Sequence, residues 1–194
     1  VRQHEPDVAI LDIKMPGLDG LSAAREIAGE RRAAVLILTA FSQRDLIERA
    51  RDAGALIAYT QDWHPADHIS FTSQHAGKNP FETIDLPYGT QVLWPDHCVW
   101  NTHGAALSAD LDIPHGQLVI RKGYNRLIDS YSGFREADRQ TPTGLAGYLK
   151  ERDVGRLYVV GLATDFCVGW TAIDGAAAGY AVTVIEDATR AIDN

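Results

Sequence analysis

The residue with the clearest chemical potential is Cys167, which stands where an apolar run, residues 156–162, gives way to a helix. Thr164 or Asp165 can cap that helix, which puts Cys167 in its first turn. Unpaired N–H groups and the positive end of the helix dipole favour a thiolate there, and the same groups could bind an oxyanion. Most free cysteines are instead small buried apolar residues, and that alternative stays open.

A second group of reactive side chains lies between residues 62 and 97. Asp62 and His64 alternate directly after the apolar run 55–60, so their side chains share one side of the chain. With a further imidazole from His68 or His97, they would suit Zn, Mn or Fe at a site completed by water or substrate. Loop histidines that only hydrogen-bond backbone groups are the competing interpretation.

Lys122 follows another apolar run, residues 117–120. A lysine at such a position is usually a solvated cation. Beside a thiol and a carboxylate, it would instead orient the thiolate and stabilise the charge that develops on it.

The elements that must position these side chains are short apolar runs alternating with helical segments of about ten residues. The predicted strands are 8–13, 33–40, 55–60, 117–120, 156–162 and 181–185, and the predicted helices are 21–30, 42–53, 143–152 and 165–178. Such alternation is typical of βαβ units and predicts an α/β fold with a mostly parallel sheet. Residues 61–114 lack this periodicity and are predicted to be site-forming loops.

The composition of the chain limits the kinds of binding partner and cellular location that can be expected. The chain has 194 residues and a formal net charge of −8, which argues against nucleic acid as a partner. No apolar run reaches the roughly 18 residues of a membrane span, and no signal peptide is visible. The only cysteines, Cys98 and Cys167, form no CxxC pair, so a reduced, cytoplasmic protein is expected.

Four motifs in order give the sequence a family resemblance. They are residues 60–65 (TQDWHP), 94–99 (WPDHCV), 121–123 (RKG) and 161–168 (GLATDFCV). Together they resemble the nicotinamidase/pyrazinamidase branch of the isochorismatase-like hydrolases, over residues 55 to 194. The resemblance implies a three-layer α/β/α sandwich that hydrolyses nicotinamide to nicotinic acid and ammonia through a cysteine thioester. It implies a small carboxamide as substrate, and a homo-oligomer is one of the oligomeric states that it allows.

The resemblance also assigns roles. Cys167 would be the nucleophile and Lys122 its partner in a Cys-Lys-Asp triad. The residues implied as ligands of a divalent metal, zinc or alternatively manganese or iron, are Asp62, His64 and His97, with His68 assisting in some members.

The implied substrate pocket has stacking walls at Trp94 and Tyr131. A cis peptide bond is implied between Ala163 and Thr164, which would aim the Ala163 N–H, with that of Cys167, at the oxyanion.

Residues 1–56 resemble something else, the middle of a response-regulator receiver. The segment 11–20 (LDIKMPGLDG) matches the phosphoacceptor strand and loop, with Asp12 as the acceptor. The expected division is therefore a receiver-like fragment, 1–56, and a hydrolase region, 57–194, without its usual N-terminal strand and C-terminal helix. A phosphoacceptor signalling fragment based on Asp12 and an inactive fusion are the alternatives to an amidohydrolase.

The triad aspartate of the family normally closes a strand that this chain lacks. If residues 8–13 fill that slot of the sheet, Asp12 lands near the thiol and becomes the third catalytic residue. If residues 35–39 fill it, Thr39 takes that place, and activity should be reduced because threonine cannot act as the carboxylate.

Overall fold

The computed structural model describes residues 36–38, 55–107 and 116–192, and the backbone alone at 36–38. Its strands are β1 (Leu36–Leu38), β2 (Leu56–Asp62), β3 (Thr83–Leu86), β4 (Gly89–Val92), β5 (Leu118–Lys122), β6 (Arg156–Leu162) and β7 (Ala181–Arg190). Its helices are α1 (Leu145–Lys150) and α2 (Gly169–Ala177). None of the helices within the described ranges is long and apolar enough to cross a membrane.

Five of the strands form one parallel sheet in the order β5-β2-β1-β6-β7. Parallel neighbours need crossover connections, so the sheet has the α/β architecture that the alternating pattern predicted. The strands at 55–60, 117–120, 156–162 and 181–185 and the helix at 143–152 are confirmed, with shifts of a few residues at their ends.

The prediction of an unbroken loop region from 61 to 114 was wrong in one part. Strands β3 and β4 pair antiparallel as a hairpin, from Thr83 opposite Val92 to Leu86 opposite Gly89. Each strand has only four residues and most of their side chains are exposed or half-buried, so no apolar run announces them.

A core lies around β6. Leu157 and Val159 of this strand pack with Ile120 of β5 and with Leu145 and Leu149 of α1, and all five are buried. Burying a side chain of this kind contributes about 1.5–3 kcal/mol. The core thereby fixes the strand ends at which Asp62, Lys122 and Leu162 stand.

Helix α2 approaches the sheet closely through a glycine. A Cβ at Gly175 would lie 2.9 Å from the Leu157 Cδ1 and 3.2 Å from the Val182 Cγ2. A larger residue would push α2 away from β6 and β7, and with it the turn that carries Cys167.

The central slot of the sheet, between β2 and β6, is filled by β1. Leu36 pairs with Leu56, and Ile37 pairs with both Ile57 and Tyr158. This is the arrangement in which residues 35–39 were expected to fill the slot, although Thr39 itself lies outside the described residues. The other predicted N-terminal elements, 8–13, 21–30 and 42–53, lie outside the described residues, as does Asp12.

Candidate active site

Two neighbouring strands bring a carboxylate and an ammonium group together. Asp62 is the last residue of β2 and Lys122 the last of β5, and the parallel register pairs them directly. The Lys122 Nζ donates a hydrogen bond to the Asp62 Oδ1 over 2.5 Å. It also donates to the Ser130 carbonyl over 2.9 Å and lies 3.4 Å from the Cys167 Sγ. Lys122 therefore stands between the thiol and the carboxylate.

The charges of this pair are mutually dependent because the site is buried. Lys122 is 1% exposed, and burial would lower its pKa, but Asp62 and Cys167 together raise the pKa above its usual range. Burial likewise opposes ionisation of Asp62, whereas Lys122 and His64 hold its pKa below the usual range. Lysine is thus held as the cation and aspartate as the anion.

Cys167 lies in a π-helical turn, Thr164–Val168, that leads directly into α2. The predicted helix at 165–178 corresponds to this turn together with α2, and Cys167 lies near its start, as expected. The predicted cap was wrong, because the residue before the turn is Ala163 and not Thr164 or Asp165. The predicted thiolate is not favoured in this site, because burial raises the pKa of Cys167 by more than Lys122 lowers it. Burial therefore favours the thiol, and Lys122 is the group that opposes this effect.

The cis peptide bond near this turn was assigned to the wrong pair of residues. It joins Leu162 to Ala163, where β6 ends, rather than Ala163 to Thr164. Ala163 is buried and lines the cavity beside Cys167, and its carbonyl accepts hydrogen bonds from the N–H groups of Phe166 and Val168. Thr164 begins the turn.

Three side chains converge next to this pair in an arrangement that could hold a metal ion. Ligand atoms of Asp62, His64 and His97 all lie within 4.8 Å of one another. The segment carrying His97 is held against β2 because the His64 N–H donates to the Cys98 carbonyl over 3.0 Å.

The hydrogen bonds of the two histidines fit a cation. The His64 Nδ1 lies 2.8 Å from the Gly123 carbonyl, and the His97 Nδ1 lies 2.8 Å from the Pro95 carbonyl. A carbonyl only accepts, so each Nδ1 carries a proton, and in a neutral imidazole of this tautomer the Nε2 is the atom that can bind a cation. Burial lowers the pKa of His64 to about 4, which keeps the imidazole neutral as a ligand must be. The residues present therefore fit a divalent metal.

His68 lies beside this group, with its ring centroid 4.4 Å from that of His64. Its two nitrogens already have partners: the Nδ1 lies 2.7 Å from the Ser70 Oγ, and the Nε2 lies 3.2 Å from the Ile128 carbonyl. A ligand role for His68 would require the loss of one of these bonds. His68 could also form a second cation-binding group with His64 and Asp129.

Gly123 makes the packing around His64 possible, a role that sequence reasoning missed. Its φ of +68° is in the left-handed region, and a Cβ there would lie 2.3 Å from the His64 Cε1. The glycine directly after Lys122 in the RKG motif was the only available signal for this close contact.

The opposite side of the cavity is aromatic. Trp94 and Tyr131 line it as predicted, and the Trp94 Nε1 donates to the Tyr131 Oη over 2.9 Å. Phe166, which sequence reasoning missed, contacts both rings, with centroids 4.8 Å from Trp94 and 5.5 Å from Tyr131. The cavity has a volume of about 470 Å³ and is also lined by Asp62, His64, His97 and Cys167.

A buried polar network behind Tyr131 was also missed. The Gln91 Nε2 lies 2.7 Å from the Asp129 Oδ2 and 2.9 Å from the Tyr131 Oη, and Gln91 and Asp129 are each 1% exposed. Burial, and then the charge of Asp129, raise the pKa of Tyr131, so its hydroxyl stays protonated. These contacts span about forty residues of sequence, and no local pattern indicates them.

Comparison with known proteins shows the family. A model of the isochorismatase domain matches residues 42–194. The chain belongs to the isochorismatase-domain family. Its relatives include a nicotinamidase of Acinetobacter baylyi, 64% identical over 137 residues, which are 71% of this chain and 64% of that protein. The chain thus spans a little under two thirds of the length of that relative.

Solved structures of the family have the same fold. The Acinetobacter baumanii nicotinamidase/pyrazinamidase is 48% identical, with a TM-score of 0.73 over 84% of this chain and 86% of that one. A pyrazinamidase of Pyrococcus horikoshii solved in complex with zinc is 28% identical, with a TM-score of 0.62 over 83% and 87% of the two chains. The predicted isochorismatase-like α/β fold is confirmed.

The N-terminal resemblance is confirmed as well, since a response regulator receiver domain model matches residues 1–67. The two family models share residues 42–67, an interval that contains the expected boundary near residue 56. That boundary stays a prediction.

Proposed function

We propose that this isochorismatase-family chain is a cysteine amidohydrolase that converts nicotinamide and water to nicotinic acid and ammonia. The observation that carries the proposal is the position of the Lys122 Nζ, 3.4 Å from the Cys167 Sγ and 2.5 Å from the Asp62 Oδ1, at one side of an aromatic cavity. The names of the relatives support the substrate class, which also includes pyrazinamide. Two free cysteines are consistent with a reducing, cytoplasmic location.

In the first half of the reaction, the Cys167 sulfur attacks the carboxamide carbon. The thiol proton passes through the Lys122 ammonium group to Asp62, the carboxylate that Lys122 contacts. The amide N–H groups of Ala163 and Cys167 stabilise the oxyanion. When the C–N bond breaks, the nitrogen takes this proton and leaves as ammonia, and a thioester remains on Cys167.

In the second half, water attacks the thioester carbonyl. Its proton passes to Asp62, the C–S bond breaks, and nicotinic acid leaves as Cys167 regains a proton. The proton transfer to Asp62 is unfavourable, because the pKa of Cys167 is raised and that of Asp62 is lowered. We therefore expect slower turnover than in a family member that has the triad aspartate as an additional base.

A divalent metal would be held by Asp62, His64 and His97. The Oδ1 of Asp62 faces Lys122, which leaves its second oxygen for the metal. The two imidazoles and one carboxylate suit zinc, with manganese or iron as alternatives, and the zinc complex of the Pyrococcus horikoshii relative supports zinc. When bound, such an ion would act as a Lewis acid toward the pyridine nitrogen of the substrate.

Ammonia release from nicotinamide by the full chain tests this function. We expect steady turnover by the wild type and a loss of at least roughly 1,000-fold in Cys167→Ala, since a nucleophile cannot be replaced by positioning alone. The matched control is Cys98→Ala, because Cys98 is the other free cysteine and does not line the cavity. Equal rates for the wild type and Cys167→Ala would refute the proposal.

A further inference from the structure

A further aromatic side chain, that of Phe81, lies at the mouth of the cavity. Phe81 lines the cavity, although its side chain is on the segment that precedes β3 and far in sequence from the other cavity residues. Its ring meets that of Trp94 edge-on, with centroids 5.9 Å apart and an interplanar angle of 90°. It is nevertheless 61% exposed, so it extends the aromatic wall outward to solvent.

The backbone at Phe81 has a conformation that disfavours this residue type. Phe81 is the third residue of a turn, Asn79 to Glu82, closed by a hydrogen bond from the Glu82 N–H to the Asn79 carbonyl over 3.2 Å. Pro80 is the second residue and Phe81 has a φ of +71°, the combination that in a type II turn calls for glycine. A bulky residue in the left-handed region is uncommon, and such outliers concentrate at functional sites.

The turn is held firmly against the cavity wall. The Phe81 N–H donates to the Leu93 carbonyl over 2.7 Å, and the Leu93 N–H donates to the Glu82 carbonyl over 2.8 Å. These bonds continue the β3–β4 ladder up to Leu93, the neighbour of Trp94. The Glu82 carboxylate also accepts from the Asn79 side chain over 2.9 Å and pairs with Lys78 over 3.4 Å.

From the ring contact, the exposure and the backbone conformation together, we propose that Phe81 is a specificity-determining residue that packs on the ring of an aromatic carboxamide. Its side chain contributes little to the core, and the turn would tolerate glycine better. The ring is therefore retained for contact with a ligand. The inference rests on the proposed function for the choice of ring, and it assigns to the β3–β4 hairpin the role of carrying one wall of the pocket.

The test measures binding of nicotinic acid, the product, to the full chain by isothermal titration calorimetry. In Phe81→Gly, we expect the dissociation constant of nicotinic acid to rise by roughly 2–12-fold, which is the change that corresponds to the loss of one aromatic ring contact. The same variant should unfold at a higher temperature than the wild type, because glycine relieves the left-handed conformation. Weaker binding by a more stable protein is a result that a purely structural role cannot produce.

Two further variants complete the test. Phe81→Tyr keeps the ring and should bind like the wild type, and Ile173→Ala removes an equally exposed apolar side chain from α2, away from the cavity, and should change nothing. Unchanged binding in Phe81→Gly, weakened binding in Phe81→Tyr, or no saturable binding to the wild type would overturn the proposal. If the wild type binds nicotinic acid and Phe81→Gly binds it more weakly, but the wild type releases no ammonia from nicotinamide, the proposed hydrolysis is wrong and the role of Phe81 is still supported.

Discussion

The two sides of the cavity differ in how they are built. On the polar side, Lys122, Asp62 and His64 come from the ends of β2 and β5 or the residues just after them, and their positions follow from strand register. On the aromatic side, Trp94 and Tyr131 come from irregular segments held together by a buried hydrogen-bond network.

The difference has energetic consequences. On the polar side each group fixes the charge of another inside a buried site, so removal of one leaves an unpaired charge that is costly. On the aromatic side, Trp94, Tyr131 and Phe166 contact one another through ring packing and one hydrogen bond between neutral groups, each worth about 1 kcal/mol. The Asp129 carboxylate lies behind these rings, where it accepts from Gln91. Substitutions should therefore have large effects on the polar side and graded effects on the aromatic side.

Lys122→Met should produce the largest effect. It removes the cation that lowers the pKa of Cys167 and pairs with Asp62, so ammonia release should fall by roughly 10²–10⁴-fold. Arg121→Met is the control, because Arg121 is exposed and stacks on Trp63, 3.8 Å from the ring centroid. A Lys122→Met variant as active as Arg121→Met would mean that the two sides do not differ as described.

His97→Ala tests the metal on the polar side. Loss of one of three ligands should weaken zinc binding by more than about 100-fold, since the loss of an outer hydrogen-bond partner alone costs 10–100-fold. Titration of zinc against a competing chelator measures the affinity. His103→Ala removes an exposed histidine from a nearby turn and should leave the affinity unchanged. Equal zinc affinities of the two variants would contradict the assigned ligand set.

Acid should destabilise the metal-free protein through His64. Its pKa is about 4 in the folded chain against an ordinary value of 6.5, so the unfolded chain takes up a proton that the folded chain refuses. The contribution of the neutral His64 to the free energy of unfolding is fully present above pH 6.5. The free energy of unfolding should fall by up to roughly 2–4 kcal/mol as the pH drops from 6.5 to 4. Urea unfolding in the presence of chelator measures this slope, which His64→Gln should flatten. A slope that survives in His64→Gln would assign it to other groups.

Tyr131→Phe should have the smallest effect. It keeps the ring and removes the hydroxyl that accepts from the Trp94 Nε1 and the Gln91 Nε2, at a cost of about 1–3 kcal/mol in the free energy of unfolding. Ammonia release should stay within a few-fold of the wild type. Tyr124→Phe, at an exposed tyrosine, should change neither quantity. A loss of activity in Tyr131→Phe as large as that in Lys122→Met would make the hydroxyl part of the polar chemistry.

The sequence predicted the polar side better than the aromatic side for a physical reason. Apolar runs end at Thr60, Ile120 and Leu162, and the carboxyl ends of parallel strands meet at one edge of a sheet, which is why Asp62, Lys122 and Cys167 lie close together. The resemblance had grouped Cys167 with Lys122 and assigned Asp62 to the metal, so the direct contact between Asp62 and Lys122 was not predicted. Local pattern thus indicates which strand ends carry the polar side chains, but not which of these side chains contact one another.

Features that depend on contacts distant in sequence were not predictable in this way. The bonds of Gln91 to Asp129 and Tyr131, and the approach of Gly123 to His64, leave no local periodicity. The β3–β4 hairpin was missed because its short strands bury few side chains, and Phe81 was missed because a Pro-Phe turn where glycine is expected reads as ordinary loop.

The central claim is that Cys167, and no other residue, carries the acyl group during turnover. Acid quenching during nicotinamide hydrolysis, followed by mass spectrometry of peptides, tests it directly. We predict a nicotinoyl thioester on the peptide that contains Cys167, absent from the peptide that contains Cys98 and absent from Lys122→Met quenched at the same time. Turnover with no adduct on Cys167, or an adduct on Cys98 instead, would contradict this account.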